Sequence, residues 1–319
     1  MKKLLVTGGA GFIGSSVLHY LSDSATELVC VDNFDDTYNP LYKEQNIASL
    51  IAEGRITLYR VDITNQVELD RVFSETKPTH VLHLAAKADT RKAVELPHDY
   101  VTNNITGTLN ILDACVKYNI SQLVAASSSS VYGNNKQVPW REDNYALNPI
   151  SPYGVTKLGT EHLAYSYAYL HKLPITMLRF FNVYGERNRP GMVPYIWAEA
   201  FLRGNSIEIS GDGERRRDYT YIGDVVAGII ETLKQPREFE VVNIGHGSPL
   251  SLNELRELFE RVTATTVPVV TRPSHQASVD TTFADTTKAK SLYGWSPQVS
   301  HEEGIERLLT WFRETRLEQ

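Results

Sequence analysis

Tyr153 and Lys157 stand four positions apart, just after Ser151-Pro152, and a run of four serines, Ser127 to Ser130, precedes them. A phenol titrates near 10 and is a poor base at neutral pH. An ammonium held one helical turn away favours the phenolate, and residues four apart share a helix face. Ser128 would then share a substrate proton with Tyr153. Such a trio is suited to taking a proton from a hydroxyl and giving it back. Tyr and Lys at this spacing also occur as a plain surface pair worth roughly a few tenths of a kcal/mol. The surrounding elements have to decide.

The deciding stretch runs from Leu4 to Asp32. Leu4-Leu5-Val6-Thr7 is a short apolar run, Gly8-Gly9-Ala10-Gly11-Phe12-Ile13-Gly14 follows directly, Ser15 to Leu21 has helical apolar spacing, and Leu28 to Val31 is a second apolar run ending in Asp32. This reads as strand, glycine turn, helix, strand, the pattern that brings backbone against a pyrophosphate at a helix N-terminus. Gly8 makes the turn, Gly11 admits the phosphates and Gly14 lets the helix pack; Phe12 and Ile13 lie between them. Asp32, with Asn33 beside it, would accept from the adenosine ribose diol and repel a 2′-phosphate, so NAD is favoured over NADP. A bound nicotinamide would add positive charge near Tyr153, and Lys157 would hold its ribose.

A chain of 319 residues suits one large α/β unit with a smaller appended lobe. The formal net charge of -6 gives no reason to expect nucleic acid or an anionic membrane as partner. The two cysteines, Cys30 in an apolar strand and Cys115 in a helical stretch, read as buried thiols in a reducing compartment, with no metal-like neighbourhood. The first strand begins at once without a signal-peptide pattern, and no apolar run has the length of a membrane span. The expectation is a cytoplasmic protein without a metal.

Along the chain, a polar stretch from Asn33 to Pro40 leads to a helix near Leu41 to Ile51. Ile56 to Arg60 is a third strand, ending at Asp62-Ile63, where the carboxylate could meet the adenine amino group and the apolar side chain its ring; Asp62 could instead cap the helix beginning near Gln66. Thr79 to Leu84 is a fourth strand carrying His80 and His83, read as packed or hydrogen-bonded. After Leu84, the small side chains of Ala85 and Ala86 would let backbone lie against the cofactor. Tyr100 to Tyr118 reads as one long helix with Asn103 and Asn104 in its first turns. Leu123 to Ala126 is a fifth strand with the serine run at its carboxyl edge, where ligands bind in parallel sheets. A helix to Leu170 and a sixth strand, Ile175 to Phe180, complete a doubly wound parallel sheet of Rossmann type. Beyond it come helices over Tyr195–Leu202, Asp224–Leu233, Leu252–Val262, Thr286–Leu292 and Glu303–Phe312, and strands at Ile207–Ile209 and Val241–Ile244, the latter able to rejoin the main sheet. The division expected is residues 1–180, with 224–245 returning to them, for the cofactor, and mainly 181–319 as a smaller α/β substrate lobe.

Several segments resemble the extended short-chain dehydrogenase/reductase family over essentially the whole chain: Thr7 to Gly14, His83-Leu84-Ala85-Ala86, Asn103 to Leu109, Ser128 to Gly133, Tyr153 to Lys157, Arg179 to Gly185, and Gly211-Asp212-Gly213 followed by Arg217-Asp218-Tyr219. Within it the likeness is to NAD-dependent nucleotide-sugar epimerases, and most of all to the UDP-glucuronate 4-epimerases. The Asp32 to Lys43 insertion, Arg187-Asn188-Arg189-Pro190-Gly191-Met192, and Ser128-Ser129-Ser130 before Val131-Tyr132-Gly133 carry that likeness. Related dehydratases usually have acidic residues at the positions of Ser129 and Ser130, and the decarboxylases a glutamate. A sugar carboxylate would be repelled by such a glutamate, whereas the Ser129 and Ser130 hydroxyls can donate to it and Arg189 can pair with it. By the resemblance, Tyr153, Lys157 and Ser128 are catalytic, Asn103 lies on the cofactor side, Asn182 and Arg217 hold a UDP diphosphate, Val193 touches uracil through its backbone, and Arg91 belongs to the substrate side. Arg215 and Arg216 read as a solvated face.

Three departures bear on substrate. Gly191 stands where an acid is common, Gly223 replaces the first acid of the usual Tyr-Val/Ile-Asp-Asp, and Gln276-Ala277-Ser278 replaces a Pro-Gly-Asp. The alternatives are a 4-epimerase of UDP-glucose or UDP-N-acetylglucosamine, a decarboxylase, or a silent NAD-binding protein. The long helices carry apolar and aromatic residues beyond one stripe, and in this family such helices pair into a homodimer.

Overall fold

The computed structural model describes residues 1–273 and 279–317. The departure at Gln276-Ala277-Ser278 lies outside them. Strands β1 (Lys3–Thr7), β2 (Glu27–Val31), β3 (Ile56–Tyr59), β4 (His80–His83), β5 (Gln122–Ser128) and β6 (Ile175–Phe180) form one parallel sheet. Among later strands, β7 (Asn182–Tyr184), β8 (Ile207–Ser210), β9 (Arg216–Arg217) and β10 (Tyr219–Tyr221) stay outside it, while β11 (Phe239–Ile244) pairs with β6 and extends it to seven strands. The order is β11-β6-β5-β4-β1-β2-β3, so the chain reverses direction across the sheet between β1 and β4. In open parallel sheets the crevice at that reversal receives ligands at the strands' carboxyl ends.

Helices cover both faces, as a sheet buried on both sides requires. On one lie α1 (Phe12–Leu21) and α2 (Leu41–Ala52); on the other lies α3 (Gln66–Thr76). Two short turns follow, α4 (Lys92–Glu95) and α5 (Pro97–Tyr100), then α6 (Gly107–Lys117) and α7 (Pro152–His171), both packed on the α3 face. Period-2 patterning is visible in β1: Leu4 and Val6 enter one core and Leu5 the other, all fully buried.

The remaining elements are α8 (Val193–Arg203), α9 (Ile222–Lys234), β12 (Leu250–Ser251), α10 (Leu252–Thr263), β13 (Val269–Arg272), α11 (Thr287–Tyr293) and α12 (His301–Phe312). Of these, α9 packs on α1 and on β5 of the seven-stranded sheet. Trp197, Phe201, Phe259 and Phe312 form an aromatic core continuous with the α1 face of the sheet. β7 pairs in parallel with β10, which places Asn182 opposite Tyr219.

Two local expectations are corrected. The stretch from Tyr100 to Tyr118 is not one regular helix, because Val101–Thr106 winds as a π-helical turn between α5 and α6. Such turns insert an extra residue and often mark functional positions. The cap of α3 is Asn65, whose side chain accepts from the Glu68 amide; Asp62 accepts instead from Thr64 and from Asn33 Nδ2.

Candidate active site

A single cavity of about 620 Å³ opens at the carboxyl ends of the strands and takes in nearly every residue singled out in the sequence. On one side lie Gly8, Gly11, Phe12, Ile13, Gly14, Asp32, Asn33, Ile63, Leu84, Ala85, Ala86 and Asn103; on the other lie Ser128, Ser129, Ser130, Arg91, Asn182, Arg189, Val193 and Arg217; Tyr153 and Lys157 line it too. Asp62 is not among the lining residues, its carboxylate being engaged by Thr64 and Asn33. Arg215 corrects the solvated-face reading, since it lines the cavity and approaches Asp280 at 3.7 Å. Arg216 pairs with Glu254 at 2.9 Å, outside the cavity lining.

The glycine turn is too tight for side chains. Gly8 has φ +66°, and a Cβ there would sit 2.8 Å from the Ala85 nitrogen. A Cβ on Gly14 would lie 2.3 Å from the Gly8 carbonyl oxygen, so Gly14 packs the helix start against the turn itself. The backbone of Gly11 to Gly14 lines the cavity at the N-terminus of α1, where no side chain caps the first turn. That is the cradle a dinucleotide pyrophosphate needs. Asp32, almost wholly buried, accepts from the Ala10 and Phe34 amides and pairs with Lys43. Lys43 also lines the cavity and was given no role in the sequence reading, although it closes the same insertion.

Ser151 caps α7 by accepting from the Gly154 amide, and Pro152 occupies the first turn. This fixes where Tyr153 and Lys157 point. Ser128 ends β5 and caps a 3₁₀ turn at Ser129–Tyr132: its hydroxyl accepts from the Ser130 amide, lies 3.1 Å from Ser130 Oγ, and lies near enough to Tyr153 to act on its phenol. Burial raises the Tyr153 pKa, against the Ser128 hydroxyl and the Arg189 charge, which both pull it down. Desolvation of the phenol outweighs both, and the lowering expected from Lys157 is not among the influences on it. Lys157 donates to the Ala126 carbonyl at 2.9 Å, and burial lowers it to about 8 while Glu161 raises it.

Arg189 is anchored to the Ala88 carbonyl at 3.1 Å, and its charge reaches Tyr153, Tyr100 and Tyr38. Beside it Asn188 is buried, with Oδ1 accepting from the Arg189 amide. Gly191 has φ +98° with open space around its Cβ direction, so glycine there serves the backbone turn. Gly223 is exposed at the start of α9, outside the lining residues, and Asp224 braces the amides of Gln298 and Val299. The departure at Gly223 therefore leaves the cavity untouched. His83 is buried between Thr7 and Thr108, as a hydrogen-bonded histidine should be.

Among the described residues, no helix is long and apolar enough to cross a membrane, and Cys30 and Cys115 are free and buried. A glycine cradle at the sheet's reversal point, with a buried Tyr and Lys on α7 and a buried Ser at a neighbouring strand end, defines a dinucleotide-dependent α/β enzyme. The chain belongs to the NAD dependent epimerase/dehydratase family, whose model matches residues 4–245. It is 39% identical to a UDP-glucuronate 4-epimerase of Thermodesulfobacterium geofontis, over 97% of this chain and 96% of that one. Among solved structures, the UDP-glucuronic acid 4-epimerase of Bacillus cereus, in complex with UDP-glucuronic acid and NAD, superposes with a TM-score of 0.91 at 34% identity, covering 98% of this chain and 99% of that one. A UDP-glucose 4-epimerase of Thermotoga maritima with UDP-glucose also gives 0.91, at 35% identity over the same shares.

Proposed function

We propose that the protein is an NAD-dependent 4-epimerase that interconverts UDP-glucuronate and UDP-galacturonate through a transient 4-keto sugar. The observation that carries the choice of sugar is Arg189, a cavity guanidinium whose charge acts on Tyr153, in a cavity also lined by the hydroxyls of the serine turn. A carboxylate at C5 is adjacent to the reacting C4. Ser129 and Ser130 donate to it and Arg189 pairs with it, each a charge-assisted hydrogen bond.

Gly8, Gly11, Phe12, Ile13 and Gly14 would hold the pyrophosphate of NAD, Asp32 and Asn33 the adenosine ribose, Ile63 with Asp62 the adenine, and Leu84, Ala85, Ala86, Asn103 and Lys157 the nicotinamide half. Bound NAD supplies a hydride acceptor that can return what it takes, so no net oxidation is required. Tyr153 removes the C4 hydroxyl proton, with Ser128 sharing it, and Lys157 favours the resulting phenolate. Asn182 and Arg217 hold the diphosphate, Val193 the uracil and Arg91 the outer substrate side, while the keto sugar turns about its phosphate link. Tyr153 then returns the proton on the epimeric product. Residues 1–180 with 224–245 serve the cofactor, and the rest of 181–319 mainly the UDP-sugar.

Proton NMR of UDP-glucuronate incubated with purified enzyme and no added reductant tests this. UDP-galacturonate appearing with total uronate conserved is the expected result. UDP-xylose or a 4-keto pentose would overturn the argument from the missing glutamate. No change with the uronate but turnover of UDP-glucose would favour the neutral-sugar reading, which the equal superposition on the Thermotoga maritima enzyme supports.

The working form is a homodimer in the cytoplasm, where both thiols stay reduced. Val155, Tyr165 and Tyr169 on α7 are 55%, 55% and 63% exposed, and Val101 beside α6 is 49% exposed. Light scattering after gel filtration should give twice the mass of the chain.

A further inference from the structure

Beneath Lys157 lies a buried ionic cluster that the catalytic assignment does not use. Glu161 follows Lys157 by one turn of α7 and is 5% exposed. Arg179, opposite Ser127 in the β5–β6 register, grips it with two bonds, Nε to Oε1 at 2.9 Å and Nη2 to Oε2 at 2.8 Å. The Ser127 hydroxyl donates to the same carboxylate. Arg179 in turn lies 4.7 Å over the Tyr132 ring.

A buried ion pair is not in itself evidence of stability, since replacing both charges is often neutral. What this one does have is position. Lys157 carries a buried ammonium whose hydrogen bond goes to the neutral Ala126 carbonyl. An ammonium out of water tends to lose its proton unless a negative charge is near. We propose that Glu161 is a positioning residue for catalysis: its carboxylate keeps Lys157 protonated, while Arg179 and Ser127 hold that carboxylate back from pairing with Lys157 directly. The ammonium therefore stays free for the cofactor ribose and Tyr153. The pull of Glu161 on Lys157 has the required sign.

The other groups around Lys157 do not supply this charge. Tyr153 on α7 is a neutral phenol at rest. From β4, His83 is buried and neutral, its pKa about 3 and lowered by burial and by Lys157 itself. From β6, Arg179 is a cation. The π-helical turn contributes Asn103 and Asn104, and the end of β5 contributes serines, none of them charged.

The inference rests on the reaction proposed above, and its test keeps the two apart. Glu161→Gln alone strands Arg179 and endangers the fold. Glu161→Gln/Arg179→Met removes both charges and separates an electrostatic role from a structural one. In the double variant, the alkaline limb of kcat/KM for UDP-glucuronate should move down by about one pH unit. The phenolate absorbance of Tyr153, taken as the difference between each enzyme and its Tyr153→Phe counterpart, should titrate higher, while thermal unfolding stays near the parent's. Glu161→Asp should keep the parental limb. Unchanged limb and phenolate midpoint in a folded double variant would overturn the inference. A parent enzyme without epimerase activity would sink the proposed reaction, yet the phenolate titration would still decide the role of Glu161.

Discussion

Lys43 Nζ lies 3.1 Å from Asp32 Oδ1, with the two side chains only 12% and 3% exposed. The carboxylate proposed to face the adenosine ribose is thus held by a cation and by two amides of its own chain. Replacing Asp32 by Ser removes the ribose acceptor and releases Lys43 toward any 2′-phosphate. NAD affinity should fall about tenfold to a hundredfold, on the scale of charge-assisted hydrogen bonds, and NADP affinity should rise. Titration of both nucleotides by fluorescence quenching checks it; unchanged preference would mean that Asp32 does not face the ribose.

Gly14→Ala should be far more damaging than its size suggests. The added methyl meets backbone, 2.3 Å from the Gly8 oxygen and 2.8 Å from the Gly9 Cα, and backbone cannot swing aside. Overpacking of this kind costs about 1–3 kcal/mol, and it falls on the turn proposed to hold the pyrophosphate. Both the melting temperature and NAD affinity should drop. At Gly54, which has φ +65° but nothing within 4 Å, the same change should cost stability only through the strained backbone and leave NAD binding alone.

How much of this was legible in the sequence follows the range of the interactions. The glycine turn, Asp32, the cap at Ser151 and the Tyr153–Lys157 spacing are local, and local patterning carries them. The return of Phe239–Ile244 to the sheet was readable from its apolar run. The pairing of β7 with β10, by contrast, joins segments far apart in sequence, and two three-residue strands have no periodicity to show. The π-helical turn hides inside a helical pattern because its cause is tertiary: the Asn104 amide group bonds the Lys87 backbone and the Thr156 hydroxyl at once. Asp62 was also readable as the cap of α3, and only the fold shows that Asn65 takes that place while Asp62 accepts from Thr64 and Asn33. Arg215 looked solvated because one arginine in a charged run resembles the next, and only the fold turns it into the cavity.

Tyr153→Phe should abolish most turnover while sparing the fold. The phenol hydroxyl is next to Ser128, and a phenylalanine keeps the ring against Tyr100, 6.4 Å away edge to face. General acid–base groups contribute about a hundredfold to ten-thousandfold. Epimerisation rates measured by NMR should fall by that order with unchanged NAD affinity. A loss of less than about tenfold would show that another group moves the proton.

Arg189→Ala separates recognition from chemistry. If the guanidinium pairs with a uronate, kcat/KM for UDP-glucuronate should fall about tenfold to a hundredfold, as expected for loss of a charge-assisted bond. Any UDP-glucose activity should hold or rise, since no carboxylate is involved. Equal losses on both substrates would place Arg189 on the diphosphate that the two share, and the uronate assignment would fail.

His83 should make the protein acid-sensitive in a defined direction. Its Nε2 lies 3.0 Å from Thr108 Oγ1, which itself donates to the Asn104 carbonyl, so the ring is the donor there. Nδ1, 2.7 Å from Thr7 Oγ1, is then the acceptor, and a second ring proton has no place. Burial and the nearby Lys157 charge lower the pKa to about 3 from 6.5. The folded state therefore refuses a proton that the unfolded chain accepts, and the stabilisation is fully present above about pH 6.5 and lost as pH falls toward 3. His301, lowered to about 4 mainly by burial, acts with the same sign. Each contributes a slope of at most about 1.4 kcal/mol per pH unit. Urea unfolding of parent and His83→Gln between about pH 6 and about pH 4 isolates the His83 share. The parent should lose stability more steeply than the variant on acidification. Parallel slopes would mean that the ring takes up its proton in the folded state, against the Thr7 and Thr108 geometry.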